Sequence, residues 1–157
     1  MANKKLTGKK RPIVMTAGVF DLLHLGHVRF LEEAKASKQN AELIVIVARD
    51  KTVEKRKGEK TVMSENQRRA LVEALEVVDE AILGYEEFNI RSVIEKIRPD
   101  VIALGHDQNS IGQMVRKAIS DMGLQIKVVR IAQFSEDELN SSTEIKKKII
   151  DLYRRKT

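Results

Sequence analysis

The stretch GVFDLLHLGH, residues 18–27, holds two of the chain's three histidines and lies between an apolar run and a helical pattern. Gly18 lets a ligand approach the backbone where a Cβ would obstruct it. Gly26 leaves room between the imidazoles of His24 and His27, and the free N–H groups at a helix start attract anions. Two imidazoles beside such groups suit a polyphosphate. The alternative is that His24 caps the helix and His27 lies in the core.

Composition and charge restrict the class of protein. The chain has 157 residues, 42% hydrophobic and 33% charged, which predicts one domain over residues 1–157 with a basic, flexible N-terminus at 1–11. There is no apolar run of about 18 residues, no signal-peptide core and no Cys, so we expect a cytoplasmic protein without disulfides or thiolate metal sites. The net charge of +6 favours anionic partners such as phosphorylated metabolites, nucleotides or nucleic acid.

Five short apolar runs, most of them rich in Val and Ile, alternate with helical patterns. Strands that are covered on both faces have this composition. The alternation predicts an α/β, Rossmann-like fold, a single five-stranded parallel sheet with helices on both faces. Ligands of such sheets bind beyond the carboxyl ends of the strands, where the strand order reverses. The predicted strands are residues 12–18, 41–48, 78–84, 100–105 and 124–131.

The predicted helices follow from apolar stripes and caps. One begins in the histidine stretch, one follows Ser64, one covers 88–97, one lies near 111–122, and the last begins near Ser141. The spacing of Ser64 to Gln67, and of Ser141 to Glu144, is typical of a capping box. The predicted inward faces are His27, Phe30, Leu31 and Ala34 in the first helix, Ile111, Met114, Val115, Ala118, Ile119 and Met122 in the fourth, and Ile145, Ile149 and Leu152 in the last.

Two further segments lie at the predicted ligand edge of the sheet. Six cations occur between Arg49 and Lys60, in a segment predicted to be a loop; they are either phosphate ligands or a solvated run. Asp107 follows the fourth strand and is either a helix N-cap or a ligand residue. Neither a G-x-G-x-x-G pattern nor a P-loop follows the first strand, so the usual phosphate-binding loops are missing.

The histidine stretch matches the pattern G-x-F-D-x-x-H-x-G-H at all six fixed positions, and SSTEIK at 141–146 matches S-[ST]-T-x-[IL]-[KR]. With both motifs, the chain resembles the cytidylyltransferase-like nucleotidyltransferase superfamily over nearly its whole length. The resemblance implies that a phosphate on an acceptor attacks the α-phosphorus of a nucleoside triphosphate and that pyrophosphate leaves. It also implies the absence of a covalent enzyme intermediate, the use of Mg²⁺ with the triphosphate, and a homodimer.

The same resemblance implies a set of site residues. His24 and His27 would hold the β- and γ-phosphates, and a lysine after the second strand would bind phosphate. Lys57 is preferred over Lys55 and Lys60 because the adjacent Gly58 permits a close turn. The predicted catalytic residues are therefore His24, His27 and Lys57. The predicted nucleotide-binding residues are Gly18, Val19, Phe20, Asp21, His24, Leu25, Gly26, His27, Asp107, Ser142 and Thr143, and no residue is predicted to be a metal ligand of its own.

The substrate assignment depends on the middle of the chain. Glycerol-3-phosphate cytidylyltransferases have a pattern like R-Y-V-D-E-V, where this chain has Glu76 and Val77 in place of Arg and Tyr. In contrast, IVIVARDKTVEKRKGEK, ENQRRALVEALEVVDEAILG and RPDVIALGHDQ resemble the archaeal type of FAD synthase, which moves AMP from ATP onto FMN.

The expected partners are therefore ATP and FMN, with neither nucleic acid nor a membrane. Phe88 and Phe134 lie in predicted loops where an isoalloxazine ring would find an apolar partner. The alternatives are a glycerol-3-phosphate cytidylyltransferase, a heptose-type sugar-phosphate nucleotidyltransferase of lipopolysaccharide core synthesis, and a non-catalytic nucleotide-binding module.

Overall fold

Five parallel strands form one sheet, in the order β3-β2-β1-β4-β5, in the computed structural model, which describes residues 10–134 and 140–156. The α/β, Rossmann-like prediction is confirmed. The strands are β1 (Ile13–Gly18), β2 (Glu42–Val47), β3 (Glu80–Leu83), β4 (Val101–Gly105) and β5 (Lys127–Ile131). The helices are α1 (Leu25–Ala36), α2 (Asp50–Lys57), α3 (Glu65–Glu73), α4 (Ile90–Ile97), α5 (Asn109–Asp121) and α6 (Ser142–Arg154). Most of the predicted basic N-terminus, residues 1–11, lies outside the described residues.

Apolar side chains on both faces of the sheet explain the Val- and Ile-rich strands. In β1, Val14 packs with α1 and α3 on one face, and the next residue, Met15, packs with α4 and α5 on the other. Successive side chains of a strand point to opposite faces, so each central strand contributes to both cores. Both residues are almost fully buried, at 0% and 3% exposure. Helices therefore cover both faces, as predicted.

The strand order places the histidine stretch at the centre of the carboxyl edge. The chain adds β2 and β3 on one side of β1 and then β4 and β5 on the other, so the order reverses between β1 and β4. Gly18, the last residue of β1, is paired in register with Val47, the last residue of β2. On the other side, the hydroxyl of Thr16 donates to the carbonyl of Ala103 at 2.8 Å. The turn after β1 thus lies where such sheets bind ligands.

The basic segment after β2 is a helix, so its prediction as a loop is wrong. Asp50 lies in the first turn of α2 and three cations lie in the last, which suits the helix dipole. Gly58, with φ of 71°, ends the helix in the left-handed conformation. Only Val53 of this helix is buried. The helix has almost no apolar stripe, and that is why the sequence pattern did not reveal it.

The inward face predicted for α6 is also wrong. Ile149 and Leu152 are about half exposed, at 45% and 52%, and no residue of α6 is buried. The helix contacts the site through its first turns, where Ser142 donates to the carbonyl of Asp21. Met114 of α5, also predicted to face inward, is 45% exposed. Within the described residues, no helix is both long enough and apolar enough to cross a membrane.

Candidate active site

A tight turn with two unusual residues joins β1 to α1. Phe20 and Leu22 have φ values of 54° and 51°, in the left-handed region that side chains with a Cβ seldom adopt. Strain of this kind persists only where surrounding contacts enforce it. The residue between them, Asp21, is only 6% exposed and makes those contacts.

The carboxylate of Asp21 holds a second segment of chain against the turn. It accepts hydrogen bonds from the backbone N–H groups of Val62 at 2.8 Å and Met63 at 3.0 Å. The ammonium of Lys146 in α6 lies 3.9 Å away, and the Asp21 carbonyl accepts the Ser142 hydroxyl. Asp21, which was predicted to bind nucleotide, thus makes these contacts with two parts of the protein, the segment at 62–63 and α6.

The imidazoles of His24 and His27 are stacked at the start of α1. Their ring centroids are 3.8 Å apart, with 27° between the ring planes. The backbone N–H of His24 donates to Nδ1 of His27 at 3.3 Å. Because that nitrogen accepts a hydrogen bond, the neutral ring carries its proton on Nε2. The Phe20 ring, with its centroid 5.4 Å from that of His27, supports the pair from the core.

Both histidines are held in the neutral form. Burial, together with the nearby His24, lowers the pKa of His27 to about 4, although Asp21 opposes the shift. Burial also lowers the pKa of His24, and Glu144 opposes that shift. Two stacked imidazolium ions would repel each other, so neutrality is required for this packing. A bound anion would favour protonation of either ring, which makes the pair responsive to negative charge.

Two glycines make the close packing of this turn possible. A Cβ on Gly26 would lie 2.8 Å from the carbonyl oxygen of Asn140 and 2.9 Å from two ring atoms of His24. A Cβ on Gly18 would lie 2.9 Å from the Phe20 ring. Because a Cβ here would clash with the ring, Gly26 leaves room for the His24 imidazole, as predicted. The space beside Gly18 is taken by the Phe20 ring. The approach of a ligand to the backbone of Gly18 stays a prediction.

Arg68 of α3 is fully buried beneath the turn, with 0% exposure. Its guanidinium donates to the carbonyl of Val19 at 2.7 Å, to the carbonyl of Met63 at 3.0 Å and to the carboxylate of Asp50 at 2.6 Å. The Asp50 carboxylate also accepts the hydroxyl of Thr61. Burial alone would raise the pKa of Asp50, but the hydrogen bonds, that from Arg68 foremost, lower it overall.

A second ion pair extends this network to the neighbouring strands. The Glu65 carboxylate accepts from Arg49 at 3.0 Å and from the backbone N–H of Asp50 at 2.7 Å. Arg49 also donates to the carbonyl of Gly84, just after β3. We call Arg49, Asp50, Glu65 and Arg68 the clasp. It joins the turn after β1 to the segments that follow β2 and β3.

The other predicted site residues differ in their contacts and exposure. Ser142 lies against the turn, and the neighbouring Thr143 is exposed. Asp107 is exposed and is not the N-cap of α5; that position belongs to Gln108. Lys57 is exposed in the last turn of α2. Leu25 is exposed at the start of α1.

The side chain of Gln108 connects the loop after β4 to the strand that leads into the motif. It accepts from the N–H of Gly105 at 2.8 Å and donates to the carbonyl of Ala17 at 3.1 Å. Among the residues that the structure describes, no group of three or more His, Asp or Glu side chains is arranged to hold a metal ion.

Comparison with known proteins identifies the family to which the chain belongs. The model of the cytidylyltransferase-like family matches residues 15–148, which include both motifs, most of β1 and the other four strands. The chain belongs to the cytidylyltransferase-like family. This membership confirms the resemblance inferred from the histidine stretch and from SSTEIK.

Individual relatives of this cytidylyltransferase-like chain cover most of its length. A FAD synthase of Ferroglobus placidus is 50% identical over 139 residues, 88% of each chain. A FAD synthase of Thermoplasma volcanium is 45% identical over 139 residues, 88% of this chain and 94% of its own. The crystal structure of a lipopolysaccharide core biosynthesis protein from Thermoplasma volcanium matches with a TM-score of 0.73 and 40% identity, covering 80% of this chain and 100% of that one.

Sequence reasoning missed the clasp of this cytidylyltransferase-like site. Arg68 and Asp50 look like ordinary surface residues in segments rich in charge. One signal was present: Arg68 lies four residues before Val72, so the two share a helix face, and Val72 is fully buried. Gln108 lies at the end of the stretch RPDVIALGHDQ, but its polar side chain gives no signal for the partners it has.

Stability should depend on pH through His27. An unfolded histidine has a pKa of 6.5 and the folded His27 of about 4, so between these values the unfolded state binds more protons. The free energy of unfolding therefore falls as the pH is lowered through this window. In His27→Gln the free energy of unfolding should fall less steeply, with a slope that is smaller by at most about 1.4 kcal/mol per pH unit. Urea denaturation at several pH values between 4 and 7 measures the difference.

The control for this experiment is His106→Gln, which removes an exposed histidine from the loop after β4. Its pH profile should follow that of the unmodified protein. Identical slopes for His27→Gln and the unmodified protein would contradict the assignment of a neutral, buried imidazole.

Replacing Arg68 should destabilise the fold strongly. Arg68→Met keeps an apolar chain of similar length but leaves Asp50 and two carbonyls without their donor. Leaving these partly buried carbonyls unpaired costs about 1–3 kcal/mol, whereas the Asp50 carboxylate is 43% exposed and can be hydrated. The matched control is Arg69→Met, which removes a half-exposed ion pair with Glu73 and should cost about 1 kcal/mol or less. Chemical denaturation of both variants tests the clasp, and equal losses would show that Arg68 is not its centre.

Proposed function

We propose that the chain is an FMN adenylyltransferase, a FAD synthase. A phosphate oxygen of FMN attacks the α-phosphorus of ATP, the bond from that phosphorus to the oxygen leading to the β-phosphorus breaks, and pyrophosphate leaves with the electron pair. FAD is the other product. The observation that carries the proposal is the stacked, neutral histidine pair at the point where the strand order reverses. The FAD synthases that match most of the chain support FMN as the acceptor.

In this proposal, His24 and His27 act on the leaving pyrophosphate. Each neutral ring offers one N–H, and His27 offers it from Nε2 because its Nδ1 is occupied. Negative charge on the β- and γ-phosphates grows as the bond breaks, so donors fixed in position stabilise the transition state more than the ground state. Growing charge also opposes the effect of burial on the imidazole pKa values. The imidazoles therefore bind protons more readily as the charge on the leaving pyrophosphate develops.

The remaining nucleotide contacts are assigned to the two sides of the turn. The backbone of residues 18–26 and the start of α6, with Ser142 and Thr143, would lie along the triphosphate. Asp107, on the loop that Gln108 fastens to β1, would face the ribose or base. Lys57 would neutralise triphosphate charge from the end of α2, where Lys55 and Arg56 add to the positive field.

Mg²⁺ would arrive bound to ATP rather than in a site of its own. The described residues offer no carboxylate cluster for a metal, and Mg²⁺ commonly keeps its waters and binds phosphate oxygens. Bound in this way, the ion neutralises phosphate charge. The protein's own contribution is to hold the triphosphate with imidazoles, amides and Lys57.

The assembly is proposed to be a cytoplasmic homodimer of single-domain chains. Four large apolar residues on α6 are substantially exposed, and burying them against a second copy would remove apolar surface from water. They are Ile149, Ile150, Leu152 and Tyr153.

A second candidate is a sugar-phosphate nucleotidyltransferase. The solved relative from Thermoplasma volcanium is described as a lipopolysaccharide core biosynthesis protein, and it covers 80% of this chain. Sugar phosphates and FMN both present a phosphate to the α-phosphorus, so the histidine pair serves either reaction. The acceptor has to be identified by assay.

The decisive assay uses purified protein with Mg²⁺, either ATP or CTP, and one acceptor: FMN, glycerol-3-phosphate or heptose-1-phosphate. FAD should form only with ATP and FMN, and pyrophosphate should appear in the same amount. Chromatography with flavin absorbance detects FAD, and a coupled pyrophosphate assay covers the other pairs. Formation of CDP-glycerol or of an ADP-sugar in place of FAD would contradict the proposal. Nucleotide binding without any turnover would favour a non-catalytic module.

Loss of either imidazole should lower turnover with little effect on folding. His24→Ala and His27→Ala should each reduce kcat by roughly 10²- to 10³-fold, as expected for one preorganised donor. Lys57→Ala should reduce kcat more than Lys55→Ala, its matched control on the same helix. Steady-state kinetics and thermal denaturation are measured on all four variants. Unchanged turnover in His27→Ala would make the pair structural, and equal effects of the two lysines would make the cations a solvated run.

A further inference from the structure

An open pocket of about 470 Å³ lies at the carboxyl ends of β2 and β3, and β2 neighbours β1, the strand that leads into the histidine turn. Its volume lies within the range of small-molecule sites. Arg49, two residues after β2, forms one wall, and the segment after β3 forms the rest. The other lining residues are Tyr85, Glu86, Glu87, Asn89 and Ser92.

The segment that lines this pocket is fixed at both ends. The N–H of Gly84 donates to the carbonyl of Val47, continuing the sheet, and the Asn89 side chain caps α4 by accepting from Ser92. Arg49 donates to the carbonyl of Gly84 and is itself held by Glu65. The clasp therefore ties this pocket to the turn after β1.

Two aromatic side chains are exposed on the same short segment. Tyr85 and Phe88 are 43% and 44% exposed, although the chain has only six aromatic residues. The guanidinium carbon of Arg56 lies 5.2 Å from the centre of the Phe88 ring and covers part of it. Flat apolar surfaces left open beside a pocket are suited to a planar ligand.

The charge of the lining disfavours a phosphate in this pocket. Glu86 and Glu87 both line it, against one cation, Arg49, and a carboxylate repels a phosphate. We therefore place the triphosphate and the acceptor phosphate toward the histidines. An uncharged, planar end of a ligand is compatible with these walls.

We propose that this pocket receives the isoalloxazine ring of FMN, an inference that rests on the proposed function. Tyr85, which lines the pocket, provides the stacking surface, and Phe88, exposed on the same segment, extends it beside the pocket. Arg49, whose Nε and Nη1 are already engaged, presents its remaining Nη2 donor to a carbonyl of the flavin's pyrimidine ring. These contacts determine which acceptor is used, whereas the histidines hold the phosphates common to all acceptors.

The strand order supports an acceptor on the β2 and β3 side of the site. Asp107 follows β4 on one side of β1, and the pocket follows β2 and β3 on the other. With the base on the β4 side, the flavin reaches the α-phosphorus from the opposite side. Transfer to a phosphate acceptor requires the attacking and leaving oxygens to be roughly in line, which is compatible with an acceptor and a base on opposite sides of β1.

The test measures flavin binding separately from turnover. FMN and riboflavin, which lacks the phosphate, are titrated with protein while flavin fluorescence is followed. In Tyr85→Ala and in Phe88→Ala, Kd for both flavins and KM for FMN should rise roughly tenfold, as when one stacking aromatic is lost. KM for ATP should stay within about twofold of its original value. Tyr85→Phe and Phe88→Tyr, which keep the ring, should restore binding.

The matched control is Leu124→Ala, which removes another exposed large apolar residue, between α5 and β5 at the opposite edge of the sheet. It should leave both flavin affinities unchanged. If the unmodified protein makes FAD but Tyr85→Ala and Phe88→Ala bind flavin as it does, the pocket inference is wrong and the proposed function stands. If the unmodified protein neither makes FAD nor binds FMN or riboflavin, the proposed function fails and the pocket inference with it.

Discussion

The buried guanidinium of Arg68 is the interaction on which the rest of the site depends. A fully buried cation is tolerable only when its donors are satisfied, and here a carboxylate and two backbone carbonyls accept from it. Those partners belong to the turn after β1, the start of α2 and the segment before α3. Satisfying one buried charge thus brings three separate parts of the chain to one place at the edge of the sheet.

The chemistry of the histidine pair follows from that arrangement. Asp21, fixed by the N–H groups of Val62 and Met63, lies between two residues with left-handed backbone and so sets the course of the turn. The turn then stacks His24 on His27 and buries both sufficiently to keep them neutral. A neutral pair offers directed N–H donors without mutual repulsion, which is the state required before a polyphosphate enters.

In the proposed reaction, the same network separates general from specific functions in space. The histidines at the centre would act on the phosphates that all the candidate substrates carry. Arg49, at the outer end of the clasp, reaches the segment after β3, where the exposed Tyr85 and Phe88 lie. On this proposal, acceptor choice can change through this segment while the histidine turn remains the same, and the relatives do bear different names.

The sequence by itself determined the parallel sheet, because strands buried on both faces carry apolar side chains at successive positions, and it located the histidine turn, because the two motif histidines follow the first strand. It did not reveal α2, whose single buried residue leaves no periodic signal, or the exposed face of α6, since an apolar stripe does not show what covers it. Only the tertiary structure decided the partners of Arg68, Asp21 and Gln108. A polar side chain carries no mark of its partner in the sequence, and those partners come from segments that only the folded sheet brings together.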